Sequence, residues 1–129
     1  MKHNLSGPLV MLNVPDVAAA MAWYQNLGFT IERTNRKWEP TSEVNWAFMS
    51  YDKVQMMLNA RMADEGAHSI VTLYFNVADC DAFYAEIRDK VAVRYEPSDQ
   101  FYGMRDFEVL DLNGNSLIFG HRIEEQTEL

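Results

Sequence analysis

The chain has 129 residues, 48% hydrophobic and 23% charged, which is the size and composition of one domain able to bury roughly two thirds of its unfolded surface without disulfides or a structural metal. Its formal charge of −8 argues against a nucleic-acid partner, because binding a phosphate backbone needs clustered Lys and Arg. The single cysteine, Cys80, cannot pair within the chain, which argues against a disulfide-built scaffold and agrees with a reducing cytoplasm.

From the N-terminus, residues 1–14 carry one lysine before a short apolar run that breaks at Pro15. That run is too short to span a membrane and lacks a signal-peptide pattern, so no membrane partner and a cytoplasmic location are expected. Pro8 to Leu12 has strand character and leads into Asn13-Val14-Pro15-Asp16. Asp16 suits a helix N-cap, Val17, Ala20, Met21, Tyr24 and Leu27 recur at helical spacing, and Gly28 supplies the terminating residue. Three strands are expected next, Phe29 to Thr34, Val44 to Ser50 and Val54 to Asn59, with Tyr51-Asp52-Lys53 as a tight turn. Residues 60–68 read as a polar connection of small side chains.

The pattern then repeats. Ile70 to Phe75 has strand character and leads into Asn76-Val77-Ala78-Asp79, a copy of the first motif 63 residues on. Asp79 caps a second helix with Cys80, Phe83, Tyr84 and Ile87 as its apolar stripe. Strands are expected at Ala92 to Tyr95, Met104 to Asp111 and Asn115 to His121, the last two joined at Asn113-Gly114 by a type I′ hairpin turn. The excess of acid lies wholly in this half: residues 65–129 carry thirteen acidic and five basic side chains, against six and six in residues 1–64. Part of it has a plain cause, since Asp79 and Asp81 fall at a helix start and Glu124, Glu125 and Glu128 form a solvated tail.

The expected fold class is therefore α+β, with βαβββ modules in tandem, module 1 about 8–59 and module 2 about 69–122, in a single domain over 1–129. One helix per module covers one face of a curved mixed sheet. The other face forms a concave cleft that a second module covers or a ligand fills.

At this point the chain resembles the vicinal oxygen chelate superfamily of glyoxalases, bleomycin-resistance proteins and ring-cleaving dioxygenases. The resemblance runs from about Pro8 to Arg122 and rests on three stretches: Val14-Pro15-Asp16-Val17 with Trp23 to Phe29, then Tyr102 to Phe107, then Asp111-Leu112-Asn113-Gly114-Asn115. It implies a dimer. In metal-dependent members the first and last strand of each module contribute His, Gln or Glu ligands, and alignment puts those positions at Leu9, Met57, Thr72 and Ile118. None of the four is a competent ligand, and a slip to Met56, Leu117 or Phe119 yields none either. The histidines do not rescue the site: His3 is in the tail, His121 ends the last strand, and His68 lies four residues before Thr72, roughly 13 Å along a strand. No metal, cofactor or catalytic residue is expected, and the chain looks closest in type to metal-free bleomycin-resistance-like members.

Strand alternation, phased on the lost ligand positions, turns Leu9, Met11, Asn13, Gln55, Met57, Asn59, Thr72, Tyr74 and Asn76 toward the cleft. On the third strand Ala47 and Met49 face the helix, which leaves Trp46, Phe48 and Ser50 inward. Aromatics at strand spacing are ordinarily core, so Trp46 and Phe48 draw a ligand role only from the fold. Trp38 sits in a polar segment with little core to join, as a candidate lid or interface residue. Tyr102 and Arg105 lie at Gly103, where an unusual backbone path is expected; Arg105 either binds an anionic ligand group or pairs with Asp106 or Glu108.

The candidate ligand-binding set is Trp38, Trp46, Phe48, Gln55, Met57, Tyr74, Tyr102 and Arg105. The leading expectation is a metal-independent homodimer that sequesters a small aromatic or cationic molecule, as an antibiotic-resistance protein does. The alternatives are an enzyme of the same superfamily, of lyase, isomerase or dioxygenase type, with a divergent or absent metal site, and an interaction module with a vestigial cleft.

Overall fold

The computed structural model describes residues 3–60 and 70–123, so the expected connection at 61–68 and the acidic tail at Glu124, Glu125 and Glu128 lie outside the described residues. The elements in chain order are β1 (Val10–Val14), α1 (Val17–Leu27), β2 (Thr30–Thr34), a 3₁₀ turn (Asn35–Lys37), β3 (Trp46–Tyr51), β4 (Val54–Ala60), β5 (Thr72–Asn76), α2 (Cys80–Ile87), β6 (Ala92–Asp99), β7 (Met104–Leu110) and β8 (Ser116–Arg122). They fall into two compact units, Met1–His68 and Ser69–Leu129, each a βαβββ module. Among the described residues no helix is long and apolar enough to cross a membrane.

Each unit builds a four-stranded mixed sheet, in the order β1-β4-β3-β2 in the first and β5-β8-β7-β6 in the second. The first and last strands of each module run parallel, and the remaining pairs are antiparallel. Asn13 pairs with Asn59 and its repeat Asn76 with Gly120, so Met57 and Ile118 hold the same register position, opposite Met11 and Tyr74. Leu9 and Thr72 each stand four residues before the paired asparagine, Leu9 one residue ahead of β1 and Thr72 first in β5.

The two helices start alike. Asp16 and Asp79 have near-identical extended backbones (φ −138°, ψ 102° and φ −140°, ψ 102°), and their carboxylates accept the amides of Ala19 and Ala82 at 3.0 and 3.1 Å. α1 buries Val17, Ala20, Tyr24 and Leu27 against Leu12, Val14, Ala47, Met49, Met56 and Leu58. α1 then stops at Gly28, whose φ of +130° disfavours other residues and whose added Cβ would meet the Tyr51 ring at 2.5 Å. In the second unit Phe107 and Phe119 pack with Phe83 of α2, Tyr84 meets Phe107 edge-on, and Val109 and Leu117 complete the core.

Two local expectations need correction. The turn after β7 is not type I′, which needs positive φ at both Asn113 and Gly114; only Gly114 has it, at +85°. The cause is Asp111, whose carboxylate accepts the amides of Asn113 and Asn115 at 2.8 Å each and the Asn115 side-chain amide at 2.9 Å, winding the loop around itself. β6 also runs past Tyr95 to Asp99, through Pro97. A proline is tolerated there because β6 is an edge strand with register shifts at Tyr95 and Ser98.

Candidate functional site

In the first unit, side chains alternate about the sheet as the strand period requires. Ala47, Met49, Met56 and Leu58 are buried beneath α1, which turns Met11, Trp46, Phe48, Gln55 and Met57 to the opposite, open face. Met11, Met57 and Phe48 are paired in register, forming a row across three strands; Asn13, Asn59 and Trp46 form the next, and Gln55 stands opposite Ser50. Leu9 and Met11 are 43% and 46% exposed, and Trp46, Phe48 and Met57 are half-buried. The Arg33 guanidinium lies 4.8 Å from the centre of the Phe48 ring.

Trp38 is 63% exposed and its ring centre lies 6.0 Å from that of Trp46, tilted by 48°. What brings this polar segment onto the sheet is Asn35, a buried residue that the sequence reading passed over. Its side-chain oxygen accepts the amides of Asn45 and Trp46 at 2.8 and 3.3 Å, and its amide donates to the Glu43 carbonyl at 2.9 Å. Trp38, Trp46, Phe48 and Met57 thus gather into one partly exposed aromatic and thioether surface, with Gln55 exposed at its side.

In the second unit the expected residues part company. Tyr74 and Tyr102 both donate their hydroxyls to Asp106, at 2.9 and 2.5 Å, and Asp106 also accepts Tyr95 at 2.9 Å and the Gln100 amide at 3.0 Å. Arg105 does not join them. Adjacent residues of a strand face opposite ways, so Arg105 turns to the α2 side, where Asp81 accepts from it at 2.8 and 2.9 Å and Asp99 at 2.9 Å. Neither of its expected partners, Asp106 and Glu108, is reached; Glu108 instead bonds Ser116 and lies 3.4 Å from Arg94. Burial, and after it the Asp106 carboxylate, pushes the Tyr102 hydroxyl up to about 12 and carries those of Tyr74 and Tyr95 above the ordinary tyrosine range.

The four positions that the resemblance assigns to metal ligands carry one hydroxyl and one thioether among them, which does not fit a hexacoordinate ion. Slipping the alignment does not help, since Met56, Leu117 and Phe119 are buried on the helix side. His121 is otherwise engaged: its Nδ1 accepts the backbone amide of Cys80 at 2.8 Å. Among the described residues no three His, Cys, Asp or Glu side chains gather around a metal-sized space. The Cys80 thiol is buried, sits 3.6 Å from the Phe119 carbonyl and is pushed up by burial to about 11, so it behaves as a small core side chain rather than a nucleophile.

The profile of the Glyoxalase/Bleomycin resistance protein/Dioxygenase superfamily matches residues 8–119. The chain belongs to that superfamily. Solved structures share the fold of this superfamily member across nearly all of its length. TioX from Micromonospora sp. ML1 is 19% identical with a TM-score of 0.69, covering 95% of this chain and 100% of its own. The bleomycin resistance determinant encoded on transposon Tn5 is 16% identical with a TM-score of 0.70, covering 92% of this chain and 98% of its own. The bleomycin-binding protein of bleomycin-producing Streptomyces verticillus, complexed with copper(II)-bleomycin, is 20% identical with a TM-score of 0.68, covering 92% and 97%. At these identities the likeness concerns the fold. No curated protein matches the sequence.

Proposed function

We propose that this superfamily member is a cytoplasmic, metal-independent binding protein that holds a small planar or cationic molecule, in the manner of the bleomycin-binding neighbours, rather than converting it. The observation that carries the reading is the open face of the first sheet. Trp38, Trp46, Phe48 and Met57 leave aromatic and thioether surface partly exposed, a platform on which a flat ligand stacks while Gln55 and Asn59 offer hydrogen bonds to orient it. Tyr74 of β5 and Tyr102 of the turn before β7 are the members of the candidate ligand-binding set that the second unit contributes to this reading. Arg105, whose Nε and Nη2 donate to Asp81 and whose Nη1 donates to Asp99, is left out of this reading.

The donor set at Leu9, Met57, Thr72 and Ile118 supports metal independence. Cys80 is buried away from the open faces and His121 bonds its amide rather than its thiol, so the two make no nucleophile and base pair. The exposure of Leu9 and Met11 supports a homodimer as the working form, with a second copy of the chain covering them. A thermal-shift screen in EDTA over planar aromatic compounds, metal-free bleomycin among them, is expected to find compounds that raise the melting temperature. Stabilisation that arises only after a divalent metal is added contradicts the reading. Sedimentation at micromolar concentration is expected to give twice the 14.9 kDa chain mass, and a monomer there removes the dimer from it.

A further inference from the structure

Asp106 is completely buried in β7, yet among the described residues every partner of its carboxylate is neutral. Tyr74 and Tyr102 donate to Oδ2, Tyr95 and Gln100 to Oδ1, and four donors on two oxygens leave the carboxylate full as an acceptor. Among the described residues no Lys or Arg pairs with it: Arg105 faces the other way onto Asp81 and Asp99, and Arg94 goes to Glu108. Glu108, 7% exposed, adds a second carboxylate to the same face, opposite Tyr95 and Ile118 in register. The packing is built around this cluster. Gly120 pairs with Asp106 across the strands, and a Cβ there would run into the Tyr74 hydroxyl and come within 2.8 Å of the Asp106 Cβ.

A buried anion without a counter-cation keeps its field, because little water screens it. A phenol that donates to a carboxylate gains electron density in its ring, and the face of such a ring attracts cations. Tyr74, Tyr95 and Tyr102 are each partly exposed, so they relay the charge of Asp106 to the surface. We propose that these three tyrosines form a subsite for an organic cation of the quaternary or alkylated ammonium class, on the face of the second sheet turned from α2. A small inorganic ion is the wrong occupant, since each Asp106 oxygen already accepts two donors; an ammonium group with a weakly hydrated alkyl shell suits aromatic rings. Tyrosine hydroxyls are protonated at neutral pH in any case, and burial and then Asp106 move these three further up, so they remain donors there.

The proposal concerns the second module alone and does not depend on the aromatic surface of the first. The test titrates the full chain with choline and with its uncharged isostere 3,3-dimethylbutan-1-ol, following tyrosine ring resonances by NMR. Choline is expected to bind about 10-fold more tightly than the isostere, with saturable shifts of the rings of Tyr74, Tyr95 and Tyr102. Asp106→Asn is expected to bring the two compounds close to parity; should it fail to fold, Tyr95→Phe keeps the ring, removes one donor and is expected to cut choline affinity several-fold while leaving the isostere unchanged. Equal binding of the two compounds by the wild-type chain overturns the proposal. So does choline affinity that neither substitution lowers.

Discussion

Gly120 shows how one missing side chain permits a cluster. Its bare Cα lets the Tyr74 hydroxyl cross to Asp106, so Gly120→Ala forces the tyrosine aside or the strands apart. The expected loss is about 1–3 kcal/mol, measured by urea denaturation, and an unchanged midpoint would mean that the cluster tolerates displacement. The tyrosines also set an alkaline limit. Their folded-state values lie above the ordinary 10.0, with Tyr102 at about 12, so as pH rises past 10 the unfolded chain releases these protons first and the folded state loses ground. Stability is expected to hold below pH 10 and to fall between pH 10 and about 12, with a weaker slope in Asp106→Asn; urea midpoints at successive pH values read both.

At the scale of elements, the capping carboxylates are the repeated device. Asp16→Ala and Asp79→Ala each remove an acceptor for an amide of the first turn and are expected to cost about 1 kcal/mol apiece, additively, because the two caps belong to separate helices. These same residues made the fold legible. Asn13 to Asp16 and its copy at Asn76 to Asp79 encode a strand end and a helix start within four residues, and α1 begins and ends where Asp16 and Gly28 say it must. The site was legible only in part. Alternation placed Trp46, Phe48 and Met57 on the open face correctly, because a strand's period is a local property. The contact of Trp38 with Trp46 depends on Asn35 reaching ten residues along the chain to Asn45, and the Asp106 cluster draws donors from β5, β6 and the turn before β7. No local pattern contains such groupings. The same limit misdirected the turn at Asn113-Gly114, where the dipeptide suggested one geometry and the carboxylate of Asp111 imposed another.

For the whole molecule, the duplicated module explains a fold without specifying a ligand. The two units share a topology but differ in the chemistry of their open faces, tryptophan, phenylalanine and methionine on the first sheet, tyrosine and buried carboxylate on the second. The central claim is that binding rests on aromatic surface and not on a metal. It is tested most directly by tryptophan fluorescence titration of EDTA-treated protein with whichever aromatic compound stabilises it best, on the wild type and on Trp46→Ala. Losing one stacking contact typically costs on the order of 1 kcal/mol. The account predicts saturable quenching in the wild type with EDTA present and affinity several-fold weaker in Trp46→Ala; binding that needs a restored divalent metal, or equal affinity in the two proteins, would contradict it.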